Sequence, residues 1–183
     1  EGCTCDNRSR IGQEMMGNDL VDLQLAKTQS NWQRPKFLKK IFTKVEQAFI
    51  SNSKNPELQV WRFWTMKEAA YKAYNRETGI RGFFPWKLHC EMEDFRNVKF
   101  AGKVSIDDRI YFTETIENEE FVYTIAASSL QYLDNIIEIN SDTIILKIED
   151  LPFTSISRKP VSITHHGKFE RKITFGNNFY SDI

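Results

Sequence analysis

The chain has 183 residues, of which 40% are hydrophobic and 27% charged, so it is long enough for one domain with a substantial core. Its 25 basic and 25 acidic side chains cancel, which excludes binding to nucleic acid or membranes through total charge alone. Cys3, Cys5 and Cys90 are too few for a disulfide framework, and no apolar run is long enough to span a bilayer. We therefore expect a cytoplasmic protein.

The first residues have few apolar side chains and no periodicity, so we interpret residues 1–15 as a leader and residues 16–183 as one domain. The segment GNDLVDL, residues 17–23, then predicts a short strand whose end presents the carboxylate of Asp19. Two solvated acids on an amphipathic segment are the alternative. Asp22 is expected to make a structural hydrogen bond.

A helix-period stripe of apolar residues follows in FLKKIFTKVEQAFI, residues 37–50. A long helix is then predicted with Asn55 as its N-cap, Pro56 at its first position and Gly79 as its stop. This helix is the longest element that the sequence predicts.

The hydrophobic period changes after the long helix. Three β-branched and aromatic runs are separated by Asp107-Asp108 and by residues 117–120, which indicates hairpins in an antiparallel meander. Further strands, IIEI, TIILKI and PVSITHH, lead to a final FERKITF. The expected fold class is α+β, with an antiparallel sheet packed against the long helix and an additional β-meander.

Glu68 is the first candidate for chemistry. Helical spacing places this carboxylate on the same face as Trp61, Trp64, Tyr71 and Lys72. The simplest structural explanation is an exposed Glu68–Lys72 pair, worth only about 0.3–0.5 kcal/mol. A metal site shared with Asp19 is the functional explanation.

A second candidate lies at the end of the strand-like segment PVSIT. Ser162, Thr164, His165, His166 and Gly167 cluster there and could donate several hydrogen bonds to a phosphate. Histidines near a strand end are more often structural or solvated, so spacing alone leaves both interpretations open.

These motifs resemble the 4′-phosphopantetheinyl transferase superfamily, and their order resembles its small holo-[acyl-carrier-protein] synthase type. The first signature corresponds to GNDLVDL and the second to WTMKEAAYK, residues 64–72. Ile41-Phe42-Thr43, Thr78-Gly79-Ile80 and VSITH, residues 161–165, are similar to further family segments. The segment between Ile80 and Val161 is longer than in the small type, and we interpret it as an elaboration.

The resemblance implies Mg²⁺-dependent transfer of the phosphopantetheine arm of coenzyme A to a carrier-protein serine. It implies Asp19 and Glu68 as magnesium ligands, with Glu68 or a water as the proton acceptor and Lys72 as the residue that contacts phosphate. We expect the coenzyme A site to contain the following residues: Lys67, Lys72, Gly79, Ser162, Thr164 and His165. A phosphopantetheinyl transferase-like fold is expected.

The partner surface is inferred from a basic run between Lys27 and Lys44 that contains no acid. Lys27, Arg34 and Lys39 are the candidate contacts for an acidic acyl-carrier protein. By the resemblance, a homotrimer would place Asp19 and Glu68 opposite Ser162 and His165 of a neighbouring subunit. A coenzyme A-binding protein without transferase activity and a nucleic-acid-binding domain are the alternatives, and the latter leaves the acids unexplained.

Overall fold

The computed structural model describes residues 15–96 and 99–176. The helices of this part are α1 (Leu23–Gln29), α2 (Phe37–Ile41), α3 (Lys44–Asn52), α4 (Pro56–Thr78) and α5 (Leu130–Asp134). The strands are β1 (Met16–Asp22), β2 (His89–Arg96), β3 (Lys99–Ile106), β4 (Arg109–Glu117), β5 (Phe121–Ala127), β6 (Ile136–Glu138), β7 (Ile145–Ile148), β8 (Leu151–Thr154), β9 (Ser162–His166) and β10 (Phe169–Phe175). The α+β class is confirmed.

A five-stranded antiparallel sheet forms the larger layer, with strand order β1-β5-β4-β3-β2. Helix α4 packs on β1 and β5, and the core lies between this helix and the sheet. The meander β2–β5 is therefore the main sheet, and its prediction as an addition is wrong. Its strands alternate buried and partly exposed side chains, because one face of the sheet covers the core.

Helix α4 begins and ends where the sequence predicts. The Asn55 side chain accepts a hydrogen bond from the Leu58 amide at 3.1 Å, and Pro56 occupies the first turn. Gly79 ends the helix with φ 71°, a left-handed conformation that glycine adopts without strain. Local capping chemistry thus fixes both ends of the element that carries Glu68.

The apolar stripe of residues 37–50 is helical, as its period predicts, and is divided between the two helices α2 and α3. Thr43 starts α3 through a capping box, in which its side chain and that of Glu46 each accept from the other residue's amide. The change of direction leaves Val45 65% and Phe49 57% exposed. The capping box therefore overrides the apolar periodicity.

A smaller sheet, β6-β10-β9, packs against β1, and β7 and β8 form a separate hairpin. Strands β9 and β10 are joined by a turn that contains Gly167 at φ 58°. This packing brings the segment after residue 160 beside the first strand of the chain. The turns at Asp107-Asp108 and before Phe121 confirm the two predicted hairpins.

Met15 is part of the fold rather than of the leader, because its side chain is 1% exposed in the main core. Its carbonyl oxygen also accepts from the Ser128 amide at 3.1 Å. The rest of the predicted leader, including Cys3 and Cys5, lies outside the described residues. Among the described helices, none is long and apolar enough to cross a membrane.

Candidate active site

The close approach of β1 to α4 depends on Gly17. A Cβ at this position would overlap the Ala69 carbonyl oxygen and lie 2.8 Å from Lys72 Cβ. Ala69 and Ala73 on α4 are small and fully buried, which keeps the helix equally close to the strand. The glycine of the first motif therefore sets the spacing between the strand that carries Asp19 and the helix that carries Glu68.

Asp19 lies in the middle of β1 and not at its end, because the strand continues to Asp22. Asp19 Oδ1 accepts hydrogen bonds from Lys72 Nζ and from Thr164 Oγ1, each at 3.2 Å. Its side chain is 13% exposed. Burial raises the pKa of Asp19, and the Lys72 ammonium opposes this increase. Strand β1, helix α4 and strand β9 thus meet at one carboxylate.

Lys72 holds these three elements together. Its ammonium donates to the carbonyl oxygens of Asn18 at 2.7 Å and Ile163 at 3.5 Å, in addition to Asp19. The lysine pairs with Asp19 on the strand, whereas its i, i+4 spacing on the helix favoured a pair with Glu68. A close tertiary partner has replaced the helical one.

Glu68 faces the same cavity as Asp19. The pKa of Glu68 is raised to about 7, chiefly by burial and also by the negative charge of Asp19, while the Lys72 ammonium opposes both effects. Two carboxylates therefore share one lysine in a poorly solvated place. Such a site favours a bound cation or a bound proton.

The carboxylate cavity, as we name the space around Asp19 and Glu68, has a volume of about 530 Å³. Trp61 and Trp64 line it from the Glu68 face of α4, as the sequence predicts, and Arg34 lies at its α1–α2 side. The indole N–H of Trp61 is buried and has no partner among the described residues. The cavity therefore combines two acids, the Lys72 ammonium group and aromatic walls.

The two histidines at the end of β9 have different positions. His165 is exposed and lines the carboxylate cavity. His166 Nδ1 accepts from the Asp22 amide at 2.8 Å, so this imidazole helps to join β9 to β1. Asp22 itself caps α1 through the amides of Gln24 and Leu25, which confirms its predicted structural role.

Ser162 is engaged within the protein. Its hydroxyl donates to Asn18 Oδ1 at 2.8 Å and accepts from the Asn18 amide at 3.1 Å. The side-chain Nδ2 of Asn18 also donates to Tyr123 Oη and to the Arg171 carbonyl oxygen. Asn18 was not singled out from the sequence, although its place in the first motif was a usable signal. This pair fixes β9 against β1 and leaves Thr164 and His165 at the cavity.

The assignment of Lys67 to the coenzyme A site is wrong. Lys67 is 0% exposed and forms an ion pair with Glu46 at 2.8 Å. Its ammonium also donates to the carbonyl oxygens of Pro85 and Leu88. Adjacent positions on a helix point about 100° apart, so Glu68 can face the cavity only if Lys67 turns toward the core.

The remaining predicted residues lie at the edges of this region. Gly79 caps α4 and does not line the carboxylate cavity. Lys27, Arg34 and Lys39 are exposed on α1, α2 and the loop between them. The Arg34 guanidinium also lies 5.1 Å from the centroid of the Phe37 ring. The basic run therefore borders the carboxylate cavity through Arg34.

Residues that the resemblance placed on neighbouring subunits lie together within one chain in the structure. Thr164 contacts Asp19 within the same chain, and Ser162 contacts Asn18 in the same way. Glu68 and His165 line one cavity. The turn at Gly167 lets β9 and β10 pack beside β1, so the chain supplies both sides of this site.

Asp19 and Glu68 are the residues here that could hold a metal ion. Within the described residues, no three His, Cys, Asp or Glu side chains cluster as a complete protein-only metal site. Two half-buried carboxylates are nevertheless a suitable set for Mg²⁺, which uses one or two protein carboxylates together with waters and substrate phosphates. The electrostatic repulsion between them is the observation that fits a cation.

Two sequence comparisons with known proteins bear on the family of this chain. A sequence model of the 4′-phosphopantetheinyl transferase superfamily matches residues 15–126, which include β1, α4 and the main sheet. A holo-[acyl-carrier-protein] synthase from Caldanaerobacter subterraneus subsp. tengcongensis is 37% identical over 68 residues, covering 37% of this chain and 51% of that protein. The chain thus spans about half the length of this curated relative. Strand β9, with Thr164 and His165, lies beyond the matched range. With both signature segments and the main sheet inside that range, the chain belongs to the 4′-phosphopantetheinyl transferase superfamily.

Proposed function

We propose that this protein transfers the 4′-phosphopantetheine group of coenzyme A to a serine of an acyl-carrier protein. The observation that carries the proposal is the pair of half-buried carboxylates, Asp19 and Glu68, in one cavity with Lys72. Family membership and the name of the similar synthase support the same reaction. Because the chain spans about half the length of this synthase, coenzyme A and the carrier protein as its substrates are part of the proposal.

In this reaction the serine oxygen forms a bond to the β-phosphorus of coenzyme A. The bond from that phosphorus to the bridging oxygen breaks, and 3′,5′-ADP leaves with the electron pair. Glu68, or a water beside it, accepts the serine proton. Lys72 stabilises the negative charge that develops on the phosphate oxygens.

Asp19 and Glu68 would hold the Mg²⁺ that family membership implies. The ion would neutralise pyrophosphate charge and orient the reacting phosphate. The exposed His165 borders the same space and can donate a hydrogen bond to a phosphate oxygen, whereas the Thr164 hydroxyl already donates to Asp19.

The basic run supports an acidic carrier as the second substrate. Lys27, Arg34 and Lys39 are exposed, and Arg34 also lines the cavity that contains the two carboxylates. A negatively charged carrier that docks here would present its serine near Glu68. Complementary charge of this kind accelerates association and selects the partner.

The test is to mix the full chain with coenzyme A, Mg²⁺ and a panel of apo-carrier proteins and to measure carrier mass. We expect one carrier to gain one phosphopantetheine group. Asp19→Asn and Glu68→Gln should each lower turnover by on the order of 10²–10⁴-fold. Glu119→Gln, an exposed acid between β4 and β5, is the matched control.

Coenzyme A binding without mass gain on any carrier would support the non-catalytic alternative instead. Wild-type turnover in a correctly folded Asp19→Asn or Glu68→Gln variant would refute the assignment of these acids.

A further inference from the structure

Strands β1 and β9 meet at the carboxylate cavity but belong to different sheets. Strand β1 lies at the edge of the main sheet, where it pairs with β5, and β9 pairs with β10. Alternate side chains of β9 join the two strands, and they share one face because side chains alternate along a strand. The members of this polar face, as we name it, are Ser162, Thr164 and His166.

Each member of the polar face bonds to β1. The two end members accept hydrogen bonds from backbone amides of β1, those of Asn18 and Asp22. Thr164, which lies between them, bonds to a side chain instead, because its Oγ1 donates to Asp19 Oδ1 at 3.2 Å. The middle of the polar face is therefore directed at a proposed metal ligand.

The two carboxylate oxygens of Asp19 differ in their side-chain contacts. Oδ1 accepts from Lys72 Nζ and from Thr164 Oγ1, whereas Oδ2 accepts from no side chain among the described residues. The terminal torsion of an aspartate is broad, so contacts of this kind decide how its oxygens are turned. Because two donors occupy Oδ1, Oδ2 is the oxygen that is left for a cation.

The two donors on Oδ1 differ in what else they do. The side chain of Lys72 is 32% exposed, and its ammonium also donates to two backbone carbonyl oxygens and stabilises phosphate charge in the proposed reaction. Thr164 is 5% exposed, and its β-branched side chain is stiff about χ1. The members of the polar face on either side of it are tied to β1 as well. Thr164 is therefore the fixed donor to Asp19.

We infer that Thr164 is a positioning residue, whose hydroxyl holds Oδ1 of Asp19 and leaves Oδ2 for the divalent cation. This inference rests on the metal site of the proposed function. The resemblance placed Thr164 in the coenzyme A site, but its hydroxyl donates to Asp19. Hydrogen bonds to metal ligands orient those ligands, and loss of one typically lowers metal affinity about 10–100-fold.

The test is a titration of the full chain with Mn²⁺ alone, in which electron paramagnetic resonance measures the free ion. Mn²⁺ prefers the same oxygen ligands as Mg²⁺. Thr164→Val replaces the hydroxyl with a methyl group of similar size and should weaken Mn²⁺ binding about 10–100-fold. Thr164→Ser keeps the hydroxyl and should retain most of the affinity, whereas Asp19→Asn should lose at least as much as Thr164→Val.

Thr113→Val is the matched control. The Thr113 hydroxyl on β4 is buried and has no partner among the described residues, so its replacement makes the same chemical change away from the cavity. This variant should bind Mn²⁺ as the wild type does. If Thr164→Val fails to fold, as judged by circular dichroism, Thr164→Ala removes the same hydroxyl and takes its place.

Equal Mn²⁺ affinity of the wild type and the variant without the Thr164 hydroxyl would overturn the inference. A wild-type protein that does not bind Mn²⁺, or a Thr164→Ser variant no better than Thr164→Val, would overturn it too. The titration needs neither coenzyme A nor a carrier. Weakened binding in Thr164→Val, together with absent transfer in the wild type, would support the positioning role and refute the proposed reaction.

Discussion

Two lysines on α4, Lys67 and Lys72, lie in charge clusters that differ in balance. On the core side, one ammonium meets one carboxylate, Glu46, and all three N–H groups of Lys67 have acceptors. Glu46 also accepts from the amides of Thr43 and Cys90. On the cavity side, Lys72 faces two carboxylates, Asp19 and Glu68, beside open space.

The difference separates a structural cluster from a reactive one. The core ion pair, as we name Glu46 and Lys67, has no net charge, and its hydrogen bonds are made to other groups of the protein. The cavity cluster keeps an excess of negative charge, which together with burial raises the pKa of Glu68 to about 7. The residue types are the same in the two places, but the core ion pair is fully buried and the cavity cluster is partly exposed, so charge balance and access to open space together carry the functional information.

Breaking the core ion pair should give the largest effect. In Lys67→Met, the carboxylate of Glu46 is left buried without its cation, which typically costs about 3–5 kcal/mol. We expect that decrease in the free energy of unfolding, measured by urea denaturation. Lys72→Met is the matched variant on the same helix, and it should lose less because its side chain is 32% exposed.

The double variant Glu46→Gln/Lys67→Met should recover part of this loss, because no buried charge then remains. If Lys67→Met were no less stable than Lys72→Met, the core ion pair would not have the role that we assign to it.

Glu68→Gln should change stability in the opposite direction, and the effect should depend on pH. The folded protein keeps the Glu68 proton up to a pKa of about 7, whereas the unfolded chain releases it near the ordinary value of 4.5. The wild-type free energy of unfolding should therefore fall as pH rises from about 4.5 to 7. The variant does not titrate at residue 68 and should gain about 1–3 kcal/mol relative to wild type above pH 7.

Urea denaturation at pH 5 and pH 8, without Mg²⁺, measures this change. A constant difference between the two proteins across that range would contradict the raised pKa. Glu119→Gln, an exposed acid, serves as the control and should track the wild-type curve.

The exposed basic run should show the smallest effect on stability. Lys39→Glu should change the free energy of unfolding by no more than about 0.5 kcal/mol, because the side chain is solvated. It should instead slow association with the acidic carrier and reduce the salt dependence of that rate, as stopped-flow mixing would show. Lys54→Glu, exposed between α3 and α4, is the control; equal slowing in both variants would mean that the run is not the docking surface.

The sequence by itself determined the features that local chemistry sets. The ends of α4 follow from Asn55, Pro56 and Gly79, since N-caps, N1 prolines and left-handed glycines act within one turn. The hairpin at Asp107 and the shared face of Trp61, Trp64 and Glu68 are local in the same sense. The resemblance of the two signature segments also predicted that Asp19 and Glu68 lie in one site.

Only the tertiary structure decided which side chains face the core and which face the cavity. The sequence favoured Lys67 as a phosphate-binding residue, but the tertiary structure pairs it with Glu46 in the core. The helical spacing of Lys72 favoured a pair with Glu68, but strand β1 places Asp19 within ion-pair distance. The packing of β9 on β1 and of the β7–β8 hairpin near Arg76 joins residues that are far apart in the chain. Such contacts depend on how whole elements pack, and periodicity and capping carry no information about that.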